Sequence, residues 1–167
     1  MSLEGENQNL IICPEEIVKD DWIDYNGHLN MAFYNVLFDK GVDFFYERIG
    51  VGEKYTRSEV GSVFTLEVHL QYLKELNLRD RVQVHLQLLD FDEKRLHFFE
   101  YMYHAENGYL AATSEQMAIH VDMKTRKSAP FSANALEKIR AVHENHSTLQ
   151  RPEAAGRSIG LKKSRKS

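Results

Sequence analysis

The chain has 167 residues, 43% of them hydrophobic and 28% charged, with a formal net charge of −4. That size and balance fit one soluble globular domain, and no apolar run approaches the roughly 20 residues that a membrane span requires. The single cysteine, Cys13, excludes an internal disulfide and, with no secretory-signal layout in the first residues, points to a reducing cytoplasm.

In chain order, residues 1–9 are polar and expected to be mobile. Leu10 to Ile23 alternates loosely and reads as a first strand, interrupted near Pro14. Asp24 to Gly27 reads as a turn, with Asn30 or a neighbour as the cap of a helix that runs to about Ile49 and ends at Gly50 and Gly52. Along that helix Asn35, Asp39, Asp43 and Glu47 recur every four residues as one solvated stripe. Phe33, Tyr34, Val36, Leu37, Phe38, Val42, Phe44, Phe45 and Ile49 cover most of the remaining circumference, so something large must wrap it. Gly41 inside the helix costs about 1 kcal/mol relative to Ala, which predicts the close approach of another backbone.

Glu53 to Gly61 is a polar connection. Four segments of two-residue alternation follow. In the first, Phe64, Leu66, Val68, Leu70 and Tyr72 are expected on one face, opposite Thr65, Glu67, His69 and Gln71. The second carries Val82, Val84, Leu86 and Leu88. The third, Arg95 to His104, is apolar or aromatic on both faces. Asn107-Gly108 is a hairpin signal before the fourth, Leu110 to Met123. Pro130 stops the sheet, and 134–145 reads as a short helix. The expected domain is 10–148, and 149–167 is a basic tail, read as a solvated terminus or as a cationic arm that meets phosphates. One apolar helix followed by four antiparallel strands implies an α+β class, a curved sheet wrapped around a long helix, which is the hotdog architecture.

From Arg151 onward there are six basic residues and one acid, leaving 15 basic against 24 acidic residues in the body. An acidic body argues against a nucleic-acid groove. No two histidines stand four apart and there is no cysteine cluster, so no metal site is expected. No phosphate-binding glycine loop is present. The polar concentration lies at Asp24, Asn26, Gly27, His28 and Asn30. Asp24 precedes a helix start, where unpaired N–H groups and a dipole worth about 0.3–1 kcal/mol favour negative charge. A carboxylate beside such donors suits hydrolysis of an activated acyl group. On the residues alone, an Asp that merely forms an Asn-Gly turn stays open.

The segment D-W-I-D-Y-N-G-H-L-N-M-A-F-Y resembles the N-terminal signature of the hotdog acyl-CoA thioesterases related to 4-hydroxybenzoyl-CoA thioesterase. Further segments, H-L-Q-Y-L, F-D-E-K-R-L-H, A-A-T-S-E-Q-M-A-I-H-V-D-M and G-R-S-I-G-L, are similar to the branch that hydrolyses betainyl-CoA in bacterial carnitine breakdown. The resemblance covers about Val18 to Leu161. It implies that Asp24 is the catalytic carboxylate, as base or nucleophile. It implies that the Met31 backbone N–H polarises the thioester carbonyl, and that Gly27, His28 and Asn30 shape the turn. It further implies a homodimer or dimer of dimers with sites between subunits, an acyl-CoA substrate, and no metal or redox cofactor. A betaine-like cation would be met by the aromatics Trp22, Tyr25, Phe33 and Tyr34, with Glu67 or Glu115 facing it.

The pattern departs from two relatives. Another branch carries its acid on the central helix, where Asp39 and Asp43 are the local candidates and read as solvated stripe. Hotdog hydratases use an Asp, an Asn two later and a His five later; here Asp24 and Asn26 fit, but His28 comes one residue early. An acyl-CoA-binding module without activity is the third reading.

Overall fold

The computed structural model describes residues 9–58 and 60–161, so the expectation for 1–8 lies outside the described residues. The strands are β1 (Ile11–Ile17), β2 (Gly61–Tyr72), β3 (Arg81–Phe91), β4 (Arg95–His104) and β5 (Leu110–Asp122); the helices are α1 (Met31–Ile49), α2 (Glu53–Arg57) and α3 (Ala133–His146). The strands form one antiparallel sheet in the order β1-β3-β4-β5-β2, with α1 packed on one face. This is the α+β hotdog arrangement. No helix among the described residues is long and apolar enough to cross a membrane.

α1 starts where Asn30, in extended conformation, accepts from Ala32 N at 2.9 Å through its side-chain oxygen. It stops at Gly50, whose φ of 80° is strain-free only for glycine. Tyr34, Leu37, Phe38, Val42, Phe45 and Ile49 are buried against Val82, Val84, Leu86, Leu88, Leu96, Phe98 and Met102 of the sheet. Each such side chain contributes about 1.5–3 kcal/mol by leaving water. Beneath the helix β5 presents the small residues Ala112, Ser114 and Ala118, which let the two layers approach. A Cβ on Gly41 would lie 2.8 Å from Val84 Cγ1 and 3.0 Å from Glu100 Oε1. The close approach at Gly41 is therefore made by side chains of the sheet and not by another backbone.

Three expectations are corrected. β1 ends at Ile17, and the chain then forms a single 3-10 turn, Asp20–Trp22; Val18 and Trp22 are buried without belonging to a strand. β2 carries a bulge between Thr65, opposite Ala118, and Glu67, opposite Met117. The extra residue reverses the alternation, so Phe64 does not share a face with Val68, Leu70 and Tyr72. The front of the basic tail is packed. Gln87 Nε2 donates to Gln150 O at 3.2 Å and Gly156 N to Glu115 Oε2 at 2.7 Å, holding 148–157 against the outer face of the sheet over Phe99 and Tyr101. That cover explains why β4 is apolar on both sides.

The packing encloses one acid. Glu100 on β4 is fully buried; its Oε2 accepts from Gln116 Nε2 at 2.8 Å and its Oε1 has no partner among the described residues. Burial pushes its carboxyl well above the usual range, and donors on Gln116 and Ser114 offset this only in part. The folded protein thus keeps a proton that the unfolded chain releases above the ordinary value of 4.5. Stability from this group therefore falls as pH rises through that window, by up to about 1.4 kcal/mol per pH unit. His146, whose buried ring is pushed below its ordinary value, gives the opposite slope. Glu100→Gln removes the first effect and leaves the second. Thermal denaturation of the two proteins should show an advantage for Glu100→Gln that grows from about pH 5 to about pH 8. A pH-independent difference would mean that Glu100 holds no such proton.

Candidate active site

Between the 3-10 turn and α1 the chain folds back on itself. Ile23 and Leu29 form an isolated bridge, Asp24 N donates to His28 O at 3.1 Å, and Gly27 N donates to Asp24 O at 3.0 Å. Gly27 has φ 86° and open space where a Cβ would stand, so conformation and not room calls for glycine there. Leu29 N to Leu76 O, at 2.8 Å, and Asn30 N to Trp22 O, at 2.9 Å, fasten the loop to the body. His28 is half-buried, its Nδ1 3.4 Å from Leu29 O, where it steadies the loop.

Asp24 Oδ1 accepts from Asn26 N at 2.8 Å, and its second oxygen has no partner among the described residues. Asn30 satisfies two donors of the helix end: its side chain takes Ala32 N and its carbonyl takes Phe33 N at 3.0 Å. The Met31 N–H has no partner among the described residues. A free donor on the positive end of a 19-residue helix, in the same loop as a carboxylate, can hold an oxygen that gains charge. Both groups line a cavity of about 490 Å³ with Tyr34, Tyr72, Leu73 and Lys74. Tyr72 Oη donates to Met31 O at 3.2 Å, Tyr34 Oη to Lys74 O at 3.3 Å, and the two rings meet edge to face at 5.2 Å. Loss of water pushes the Tyr34 phenol up to about 12, so it is a neutral wall and not a base.

A family model described as the thioesterase-like superfamily matches residues 18–139. The chain belongs to that superfamily and is a thioester hydrolase. A betainyl-CoA thioesterase of Pseudomonas aeruginosa is 42% identical over 147 residues, 88% of this chain and 92% of that protein. A fused L-carnitine dehydrogenase/betainyl-CoA thioesterase of Rhizobium meliloti is 41% identical over 143 residues, 85% of this chain and 28% of the fusion. A Staphylococcus aureus protein solved in complex with CoA is 34% identical, with a TM-score of 0.84 over 96% of this chain and 100% of that one.

The thioesterase's Asp24, Gly27, His28, Asn30 and Met31 thus fall in one loop and helix start. Of the aromatic and acidic residues expected around a cation, Tyr25 and Tyr34 line the Asp24 cavity, whereas Trp22, Phe33, Glu67 and Glu115 do not. Trp22 is buried; its ring stacks on Phe33 at 5.4 Å, and Lys19 lies over it at 5.0 Å. Tyr25 is 98% exposed. Tyr34 alone of the four aromatics joins Asp24's cavity wall as a buried ring. Glu67 and Glu115 belong to the outer face of the sheet, away from α1. Glu115 is engaged there by His97 Nε2 at 2.7 Å and by Gly156 N.

A larger cavity, about 790 Å³, is separate from Asp24 and runs beside the second half of α1 towards the start of β2. Its charged residues include Glu16, paired with Lys40 at 2.5 Å, Glu53, paired with Arg57, and Glu47, which accepts from Glu53 N at 2.7 Å. Asp39 and Asp43 line it with no hydrogen bond or ion pair among the described residues. The four-residue acidic repeat marked them, but read as solvated stripe it concealed that they border a cavity.

The Met31 N–H is testable by itself. Proline is tolerated at the first helical position, where its missing N–H has no intrahelical partner, and Asn30 already has the extended backbone that proline requires before it. Met31→Pro should retain the melting temperature within a few degrees while kcat for thioester hydrolysis falls about 10²–10³-fold. Undiminished kcat would remove this donor from the chemistry.

Proposed function

We propose that the protein is a cytoplasmic homodimer that hydrolyses betainyl-CoA to betaine and CoA without a metal or redox cofactor. The observation that carries the reading is the free Met31 N–H in one loop with Asp24, in a chain 42% identical to a betainyl-CoA thioesterase. The thioester oxygen accepts from Met31 N–H. Asp24 either takes the proton of a water that attacks the carbonyl carbon, or attacks that carbon itself to give an acyl anhydride that water then opens. On either route the C–S bond breaks, the thiolate of CoA leaves and is protonated, and the acid is released. Single turnover in ¹⁸O-water separates them, because only the second route can place label in the Asp24 carboxyl.

Asp24→Asn keeps the shape and Asn26 contact of the loop and removes the charge. Thiol release from betainyl-CoA should fall at least about a hundredfold with folding intact. Near-normal release would move the reaction away from Asp24.

The free edges of the sheet support the dimer. β1 is a short edge of 7 residues broken by Pro14, whereas β2 offers 12 residues with β5 on one side only. Leu66 and Val68 on β2 stand exposed along it. A long apolar edge is stable in water when it pairs, and a twofold pairing with the same strand of a second copy closes the assembly. Light scattering should give twice the 19.4 kDa of the chain, or four times for a dimer of dimers. Val68→Lys should shift the protein to monomers and abolish activity; an active monomer would rule out a shared site.

A further inference from the structure

In betaine one methylene separates the ammonium from the thioester carbonyl, so whatever recognises the cation must stand beside the reacting carbon. Within one protomer the expected cage is incomplete: Trp22 is buried against Phe33 and Lys19, and of the four aromatics only Tyr34 and the exposed Tyr25 line the Asp24 cavity, which holds no acid other than Asp24 and Glu75 among the described residues. The cavity beside α1 has the missing chemistry. Its Asp39 and Asp43 carboxylates are unpaired among the described residues. Tyr46 forms part of its wall, is 8% exposed, and has a hydroxyl with no partner. Loss of water and the neighbouring Asp39, Glu47 and Glu53 push the Asp43 carboxyl up.

This cavity is far along α1 from Met31 of its own chain; eight residues separate Met31 from Asp39, about 12 Å of helix. The twofold pairing of β2 removes that distance. The cavity borders Ser62, Val63 and Thr65 in the first half of β2, and the Asp24 cavity borders Tyr72 at its end. In an antiparallel pair of identical strands the first half of one faces the end of the other. The two cavities, apart in the protomer, become neighbours across the interface.

We infer that Asp39 and Asp43, with the Tyr46 ring, form the wall that recognises the quaternary ammonium of the acyl group held by Asp24 and Met31 of a second copy. The inference rests on the betainyl-CoA dimer reading. A quaternary ammonium donates no strong hydrogen bond, so a pair of carboxylates acting at contact distance and an aromatic face are the groups that can select it. Both acids are exposed in the protomer, so replacing them leaves the core untouched.

The test compares betainyl-CoA with 3,3-dimethylbutyryl-CoA, in which carbon replaces the ammonium nitrogen. The wild type should favour the cation at least tenfold in kcat/KM. In Asp39→Asn/Asp43→Asn that preference should disappear through loss on betainyl-CoA, with the neutral thioester hydrolysed as before; Tyr46→Phe, which keeps the ring, should retain it. Mixed dimers of Asp24→Asn with Asp39→Asn/Asp43→Asn should regain one intact site, with wild-type preference, in every heterodimer. If the double variant keeps the wild-type preference, or if mixing restores nothing, the inference is overturned while hydrolysis of both thioesters leaves the enzyme reading standing. If the wild type hydrolyses neither thioester, both readings fall.

Discussion

Everything in this molecule depends on how closely α1 approaches the sheet. Gly41 sets that distance, because a single added carbon would meet Val84 and Glu100. With the helix seated there, Tyr34, Phe38 and Phe45 reach the apolar rows of β3 and β4, and the small residues of β5 fill the remaining gap. Gly41 weakens the isolated helix by about 1 kcal/mol, and a bulkier residue in a packed core costs about 1–3 kcal/mol. The packing term wins, which is why a helix former is absent at the centre of the longest helix. The same contact encloses Glu100, whose proton is retained because the carboxylate has no water and only partial hydrogen bonding.

The seating of α1 also fixes what its N-terminus can do. Four backbone bonds hold the preceding loop to Trp22, Leu76 and itself, so the helix start is fixed before any substrate arrives. Asn30 then removes Ala32 and Phe33 N–H from the available donors and leaves Met31 N–H. A donor fixed in advance stabilises developing charge without reorganising at the moment of reaction. Asp24 is held in the same manner, one oxygen fastened to Asn26 N and the other free. The cap and the site are therefore one construction, and the turn-forming and chemical readings of this loop do not compete.

Much of this was legible beforehand because it is local. The bounds of α1, its Asn30 cap and its Gly50 stop follow from residues within a few positions of each other. What escaped depends on partners far along the chain. The bulge at Leu66 has no turn residue to announce it, and it appears only when β2 is laid against β5. Trp22 and Tyr25 adjoin Asp24 in sequence, yet a 3-10 turn and an exposed loop send their rings to opposite environments. The packed front of the tail is set by Glu115 and Gln87, which precede it by 41 and 63 positions. Asp39 and Asp43 were visible as a stripe; their bordering a cavity was not, because that needs α1 and β2 placed together.

A site with one carboxylate and one backbone donor is sparse for acyl transfer, and the chemistry of the proposed substrate explains why that suffices. An ammonium one carbon from a thioester withdraws electrons from the carbonyl, raising its reactivity towards water before any enzyme acts. The same charge stabilises the carboxylate of the product. Little further stabilisation is then required at the reacting atoms, and discrimination becomes the harder task, since the cell holds many acyl-CoA esters that share the nucleotide. Apolar fit distinguishes acyl groups by about 1–3 kcal/mol per methylene, and a quaternary ammonium and its carbon isostere have nearly the same shape. Only charge separates them. The carboxylate proposed to serve the reaction attracts the cation as well, but a single charge cannot be optimised for both tasks. In the proposed dimer the two tasks are split between Asp24 on one chain and the α1 acids on another, so that each is set by its own surroundings and assembly becomes a condition of selectivity.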